Sequence, residues 1–274
     1  MALTKQALSL LVTLPYCLFV FMPSSLANTN KLSKGLSKEL NKKLSPEVFD
    51  ALHQCHKTFE YDIYLLKNKV GNLHRTIKWH KNEYPAKARV TSHGKVSFLW
   101  LNSTYEQSST MQYSPKLQYF LTPSFSQKII GFKAREMTAL ISDDGLSSRV
   151  TLDNEDYNYH YEKKDKDAAL ALYDLDTLGA QIRLNLLQGK THFTLLRQAS
   201  NKIDSYQFEV TGHEVINHKV WGQFNTIKVI EVGNHKNTVL WFSSKHDHQL
   251  VKAQLDLIFS PTVWLTHYKK DCEL

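Results

Sequence analysis

Apolar and polar positions alternate with a period of two along most of this chain, the signature of half-buried strands. Phe59, Tyr61, Ile63 and Leu65 alternate with Glu60, Asp62 and Tyr64. Leu73, Arg75, Ile77 and Trp79 alternate with His74, Thr76 and Lys78. Val96, Phe98 and Trp100 follow Ser92-His93-Gly94, which reads as a turn. Met137, Ala139 and Ile141 lead into Asp143-Asp144-Gly145, a hairpin signal, and Leu146, Ser148, Val150 and Leu152 return. Tyr157, Tyr159 and Tyr161 form a further alternating run. The pattern resumes with Phe193 and Leu195, then Tyr206, Phe208 and Val210, and then Phe224 to Val232, Thr238 to Phe242, Leu250 to Phe259 and Thr262 to Tyr268. Successive strands joined by short turns predict an antiparallel meander with one buried face.

One segment departs from that rhythm. From Ala168 to Leu187 the apolar residues Ala171, Leu175, Leu178, Ile182 and Leu186 recur on one helical face. Asp165 and Asp167 precede it, where carboxylates complement the helix dipole, and Gly189 follows as a cap. The spacing predicts a helix about 30 Å long, enough to lie across a sheet and cover one face. Ser45-Pro46-Glu47 predicts a second, short helix near the N-terminus, with Val48, Leu52 and Cys55 on one side. The whole reads as mainly β: one long antiparallel sheet, curved or partly closed, with one central and one N-terminal helix.

The start of the chain bears on where this domain works. Lys5 precedes an apolar run from Ala7 to Met22, and Ser25-Leu26-Ala27 places small residues where a signal peptidase reads. Residues 1–27 are therefore expected to be a secretory signal, 28–44 a basic leader and 45–274 a single β-rich domain. Cys17 lacks the small residues that a lipid-anchor box needs before its cysteine. In the leader, Leu32, Leu36, Leu40 and Leu44 recur between lysines, but Gly35 and the serines favour a flexible tether over a surface helix.

The formal charge is +8, and loss of residues 1–27 lowers it by one, because they carry Lys5 and no acid. Outside the cytoplasm a basic surface favours anionic membranes or envelope polymers. Nucleic acid is not expected, since no helix-turn-helix, zinc finger or RNA-binding motif occurs. Cys55 and Cys272 would remain after cleavage. In an oxidising compartment they have one possible pairing, and two separate free thiols are the alternative.

Catalytic motifs fail on inspection. Gly189-Lys190-Thr191 resembles the end of a phosphate loop, but Leu184 stands where its first glycine is required. No G-x-S-x-G, H-E-x-x-H, C-x-x-C or G-x-G-x-x-G occurs. His246-Asp247-His248 is the best metal candidate, yet it reads better as a polar hairpin turn. His213 and Glu214 are adjacent on a strand, so they point to opposite faces unless a bulge intervenes. No cofactor, metal site or catalytic residue is expected.

The second half resembles the bacterial envelope family called the domain of unknown function 3108 family. The resemblance rests on Tyr173-Asp174-Leu175 with Gln181-Ile182-Arg183-Leu184, on the run from Tyr206 to Glu214, and on Trp221-Gly222-Gln223-Phe224 through Val229. Thr238-Val239-Leu240-Trp241-Phe242 and Gln249 to Gln254 complete it, without that family's usual proline. It covers about residues 165–260 and carries no catalytic residue over. The resemblance implies a periplasmic protein, with a curved half-open barrel similar to that of periplasmic lipoprotein carriers and a long helix over its mouth. Such a shape can shelter a lipid or other amphiphile. Phe208, Trp221, Phe224 and Trp241 are the residues expected to line any such cavity, with core packing as the alternative. A non-catalytic envelope scaffold pairing through an open strand edge, or an anionic membrane surface as partner, is a second expectation. A periplasmic hydrolase is a third. The N-terminal reading predicts cleavage after Ala27. Intact mass of the protein recovered from an exporting bacterium checks it, and a retained residue 1–27 segment would refute it.

Overall fold

The computed structural model describes residues 55–80, 83, 85–98, 101–162, 171–232, 238–255 and 260–272. All of these fall in the unit formed by residues 39–274. The expected signal, leader and N-terminal helix, together with Trp100, Asp165 and Asp167, lie outside the described residues.

Fifteen strands follow one another in the described chain. They are β1 (His56–Leu65), β2 (Asn68–Trp79), β3 (Lys87–Phe98), β4 (Leu101–Ser114), β5 (Tyr119–Gly131), β6 (Arg135–Ile141), β7 (Ser147–Leu152) and β8 (Glu155–His160), and then β9 (Leu172–Tyr173), β10 (His192–Gln198), β11 (Ile203–His218), β12 (Gly222–Val232), β13 (Val239–Ser243), β14 (Gln249–Gln254) and β15 (Thr262–Asp271). One helix, α1 (Leu175–Leu187), stands between β9 and β10. All the strands belong to one sheet, in the order β8 to β1 and then β15 back to β9. Two meanders, one on each side of α1, are thus zipped together by the β1–β15 pair. The sheet is open, since β8 and β9 end it without pairing to each other.

Turn chemistry sets the hairpins. Leu66 and Lys67 between β1 and β2, and Asp153 and Asn154 between β7 and β8, all have positive φ. Two consecutive left-handed residues give the turn whose twist matches the flanking strands. Between β6 and β7 the expected Asp143-Asp144-Gly145 turn forms. Asp144 accepts from the Ser142 hydroxyl at 2.5 Å and the Leu146 N–H at 2.9 Å, and Gly145 takes φ 73°. His246-Asp247-His248 also forms the turn expected of it, with Asp247 and His248 left-handed.

Ser92-His93-Gly94 is not a turn. These residues lie inside β3, paired with Arg75, His74 and Leu73. A Cβ at Gly94 would sit 3.1 Å from Leu73 Cδ1, a close packing of the two strands. Strands β4 and β5 went unmarked in the sequence because their inward positions include Gln107, Ser109 and Gln127 instead of apolar side chains.

The helix also differs from its expectation. It begins at Leu175, not Ala168, so it is only about 20 Å long. Tyr173 belongs to β9, and Asp174 ends the extended segment by accepting from the N–H groups of Asp176 (2.6 Å) and Thr177 (2.9 Å). That is the geometry of an N-cap. At the other end Gly189 is left-handed, and the Lys190 N–H reaches the Asn185 carbonyl at 3.0 Å, closing the helix as expected. Nor is α1 buried on one face alone. Leu178, Ile182, Leu184 and Leu186 are buried, but so are Asp176, Thr177, Gln181, Arg183 and Asn185, while Leu175 is exposed. The sheet wraps the helix, so its polar side needs partners too. Gln181 Oε1 accepts from the Phe120 N–H at 2.8 Å, and the Thr177 and Thr122 hydroxyls meet at 2.7 Å.

The inner face holds two apolar clusters. The larger gathers Phe59, Tyr61, Trp79, Met111, Phe120, Tyr173, Ile182, Leu195 and Phe242, among others. The smaller joins Phe125, Met137, Ala139, Ile141 and Val150 of β5–β7 to Leu172 of β9 and Leu196 of β10. The short ribbon β9–β10 therefore shows one side to each cluster: Tyr173 and Leu195 to the first, Leu172 and Leu196 to the second. The sheet is rolled until its two ends meet. The Leu172 N–H donates to the Gly145 carbonyl at 2.7 Å, and the Ser148 hydroxyl donates to Gln198 Oε1 at 2.5 Å.

Cys55 and Cys272 are bonded, with Cα atoms 4.3 Å apart. They extend the β1–β15 register by one step beyond the His56–Asp271 pair. The bridge spans a sequence separation of 217 residues, for which loop-closure entropy gives up to about 5 kcal/mol. Replacing both cysteines by serine is expected to lower the unfolding free energy by roughly 2–5 kcal/mol. Denaturant titration of the two forms checks this, and superimposable curves would refute it.

Candidate polar binding pocket

Register places a row of polar side chains across the inner face. Residues directly opposite on neighbouring strands share a face. Arg75 of β2 faces Ser92 of β3, Ser92 faces Gln107 of β4, Gln107 faces Gln127 of β5, and Gln127 faces Met137 of β6. The next row toward one end runs Ile77, Val90, Ser109, Phe125, Ala139 and Val150, and is mostly apolar.

The first turn of α1 is set down on the polar row. The Ser92 hydroxyl donates to Asp176 Oδ1 at 2.8 Å, and Arg75 Nε lies 3.6 Å from the same oxygen. A second Arg75 nitrogen donates to the Asp176 carbonyl. Gln107 Nε2 donates to Asp174 Oδ1 at 2.9 Å and Asp176 Oδ2 at 3.2 Å. Gln107 Oε1 in turn accepts from Gln127 Nε2 at 3.0 Å and from the Tyr105 hydroxyl. Arg135 Nη2 donates to Gln127 Oε1 at 3.0 Å, which extends the chain of bonds outward.

Both carboxyls are nearly inaccessible, Asp174 at 1% exposure and Asp176 at 5%. Burial pushes the Asp174 carboxyl up to about 6, with the neighbouring Asp176 charge adding to it. Burial raises Asp176 as well, opposed by Arg75, Ser92 and Gln107. Tyr105 is raised by burial and by both aspartates, which keeps it a hydrogen-bond donor. A hydrogen bond from the Ser109 hydroxyl favours the charged form of Asp174 from the sheet side.

Outward of this network lies a pocket of about 310 Å³ at the mouth between the two ends of the sheet. Tyr105, Gln107, Gln127 and Arg135 line one side, Asp174 and Leu175 its floor and lip, and Arg197 to Lys202 the other side. Arg197 is held by Asp204 at 2.9 Å and lies 5.4 Å over the Tyr206 ring. A second cavity, of about 40 Å³, runs beside α1 between Tyr61, Trp79, Phe120, Ala180 and Phe242. It is only slightly larger than the roughly 30 Å³ that one water occupies in the liquid. Among the described residues no set of three or more His, Cys, Asp or Glu side chains is placed to hold a metal ion.

The four aromatics expected from the sequence lie in three places. Phe208 is buried in the larger cluster, 5.6 Å from Phe193 and 6.3 Å from Tyr206. Trp221 and Phe224 stand 6.2 Å apart, with Trp221 stacked between His218 and His246 at 4.6 Å each. Trp241 is buried under Lys252, 4.1 Å from its ring, and Lys228 at 5.8 Å. None of the four lines the polar pocket. The pocket residues Tyr105, Gln107, Gln127, Arg135, Asp174 and Arg197 were not singled out by pattern. The one local signal was the Asp174-x-Asp176 pair at a helix start, where carboxylates cap and complement the dipole.

Compared with protein-family models and with curated proteins, the sequence gives no match.

The raised Asp174 carboxyl has a definite sign in stability. The folded state holds this proton up to about pH 6, whereas the unfolded chain releases it near its ordinary value of 3.8. Its contribution is therefore fully present below the unfolded value and is lost as pH rises through about 6. Asp174→Asn keeps a good cap but removes the titration. The stability of the wild type relative to this variant should rise by up to about 1.4 kcal/mol per pH unit on going from pH 6 toward pH 4. Urea unfolding of both proteins across that range measures it, and a pH-independent difference would refute the assignment.

Proposed function

We infer that this is an exported, non-catalytic binding protein of the bacterial envelope, which holds a lipid-derived or other amphiphilic ligand at the mouth of its rolled sheet. The observation that carries this reading is the polar pocket between the sheet ends, walled by two arginines and capped by an exposed leucine. Pockets at barrel mouths that combine apolar walls with a few convergent polar groups are the common form of small-ligand sites. Phe125 and Met137 supply the apolar wall here.

The space inside the sheet narrows the mode of binding. Helix α1 fills the interior, and the cavity beside it holds about 40 Å³, too little for an acyl chain. A bound amphiphile therefore places its polar end in the mouth and leaves its tail along the outside. The covering-helix half-barrel suggested by the family resemblance supports a carrier role in this modified form. The predicted signal, the basic charge and the Cys55–Cys272 bond are compatible with residence in the oxidising periplasm.

A scaffold role rests on one observation of its own. Among the described residues strand β8 ends the sheet with no partner on its outer edge, where Tyr157 is exposed, and such an edge suits pairing with another chain. The charged residues Glu155 and Asp156 on it act against indiscriminate pairing.

Native mass spectrometry of protein purified without detergent from a membrane-containing host tests the binding reading. A bound mass that is released on denaturation is expected. Uniformly ligand-free protein that also fails to take up added lipid or amphiphile would count against it.

A further inference from the structure

Three turns at one end of the sheet share a feature that turns seldom have. Ile63, Gly71, Val96, Ser103 and Gly131 form one row of paired residues across β1 to β5, and the β1–β2 and β5–β6 turns lie just beyond it. The β11–β12 turn joins them, since Lys219 Nζ lies 5.0 Å over the ring of Tyr64, two residues before Leu66 of the first turn. Each turn sets a large apolar residue beside a lysine: Leu66-Lys67, Phe132-Lys133 and Lys219-Val220. Leu66 is 67% exposed, Phe132 54% and Val220 61%, and Ile130, next to Gly131, is exposed as well.

Folding does not account for these residues. Leu66, Lys67 and Lys133 have φ of 47°, 72° and 56°, left-handed positions that Asn or Gly fill at lower cost. A turn built for stability alone would carry those residues and would not expose apolar ones. The charge is one-sided too. Residues 66–67, 132–134 and 219–221 hold three lysines and no acid. Asp62 and Glu136, which flank the first two turns in the chain, are paired with Lys69 at 2.6 Å and Lys128 at 3.2 Å. The β6–β7 turn at the opposite end of the sheet is acidic instead, with Asp143 and Asp144.

We propose that this rim docks onto an anionic phospholipid bilayer, with Leu66, Phe132 and Val220 entering the headgroup region and Lys67, Lys133 and Lys219 meeting lipid phosphates. Apolar side chains sunk into the interface, with lysines drawn to its negative surface, are what hold a protein on such a membrane. Tyr64 and Trp221 stand beside the tips and are residue types enriched at that depth. A protein partner fits worse. The β1–β2 and β5–β6 tips are four strands apart, about 19 Å at ordinary strand spacing, so they form separate fingers and not one apolar patch. Lysine is also depleted from protein interfaces. The proposal goes beyond the ligand reading and stands without it. It bears on that reading in one respect: Arg135 of the mouth pocket pairs with Ile129, two residues before Gly131, so the pocket lies at the end of the sheet that meets the bilayer.

Co-sedimentation of the protein recovered from an exporting bacterium with lipid vesicles tests the proposal. Vesicles of phosphatidylcholine mixed with phosphatidylglycerol are expected to bind it at least about tenfold more tightly than phosphatidylcholine alone, with the difference shrinking as salt rises. Leu66→Asn and Phe132→Ser should each weaken binding by about tenfold, the loss of one buried apolar side chain. Asn suits the left-handed position, so Leu66→Asn keeps the turn, and denaturant titration shows the fold intact. Lys67→Asn should weaken binding by about fivefold. Leu117→Ser, at an exposed leucine of the β4–β5 turn on the opposite end, should change nothing. Absence of vesicle binding, equal binding to both vesicles, or an equal loss in Leu117→Ser overturns the proposal. So does binding that survives Leu66→Asn combined with Phe132→Ser, which assigns it to another part of the chain, such as the basic leader of residues 28–44. A defined protein partner lost in Leu66→Asn, without vesicle binding, gives the rim to a protein and overturns it too. Ligand in the mouth pocket is read separately by native mass spectrometry, so either reading can fail alone.

Discussion

The structure depends on how the N-terminal end of α1 is buried. A helix start presents unsatisfied N–H groups and a partial positive charge, and here that end lies inside a rolled sheet, away from water. Asp174 meets the N–H groups and Asp176 adds a negative charge at the dipole's positive end, but together they bring two carboxyls into the interior. Burying them is tolerable only because Arg75, Ser92 and Gln107 reach them from three successive strands. Register holds those three residues in one row. A slip of one residue in any of β2, β3 or β4 would turn a partner to the outer face and strand a charge. The polar row thus fixes the position of the helix, and the helix fixes how far the sheet can roll.

The rest of the architecture follows from that plug. With α1 inside, the two meanders wrap around it and meet at two places of different kinds. At β1–β15 they join by a continuous ladder closed by the Cys55–Cys272 bond. At the far side they meet mostly through side chains, with one backbone bond from the Leu172 N–H to the Gly145 carbonyl and the β9–β10 ribbon tucked between two apolar clusters. A side-chain contact does not have to be sealed along its whole length as a hydrogen-bonded ladder does. The gap at its end, beside the capped helix terminus, is the mouth pocket. The same polar network that allows the helix to be buried therefore supplies one wall of the site.

That origin explains the chemical character of the pocket. Asp174 uses one oxygen as helix cap, and Arg135 and Arg197 are anchored by Gln127 and Asp204. Side chains anchored in this way are held in fixed positions at the pocket wall.

Much of the scaffold was legible in the chain. Period-two alternation marked β1, β2, β6, β7, β8 and most of the strands after the helix, and Asp143-Asp144-Gly145 and Gly189 ended their elements as expected. These are local features, decided by residues within a few positions of one another. The same logic hid β4 and β5, whose inward residues are Gln107, Ser109 and Gln127, so the hydrophobic alternation fades where the polar site is built. It also placed the helix start too early, because the apolar spacing continues through Ala171 into β9. Which side chains share the interior was decided only by tertiary structure. Arg75, Gln107, Arg135, Asp174 and Arg197 are spread over more than a hundred residues, and they meet because strand register and the rolling of the sheet carry them to one place. Sequence periodicity tells which face a residue takes on its own strand. It does not say how many strands separate it from the partner that its charge requires.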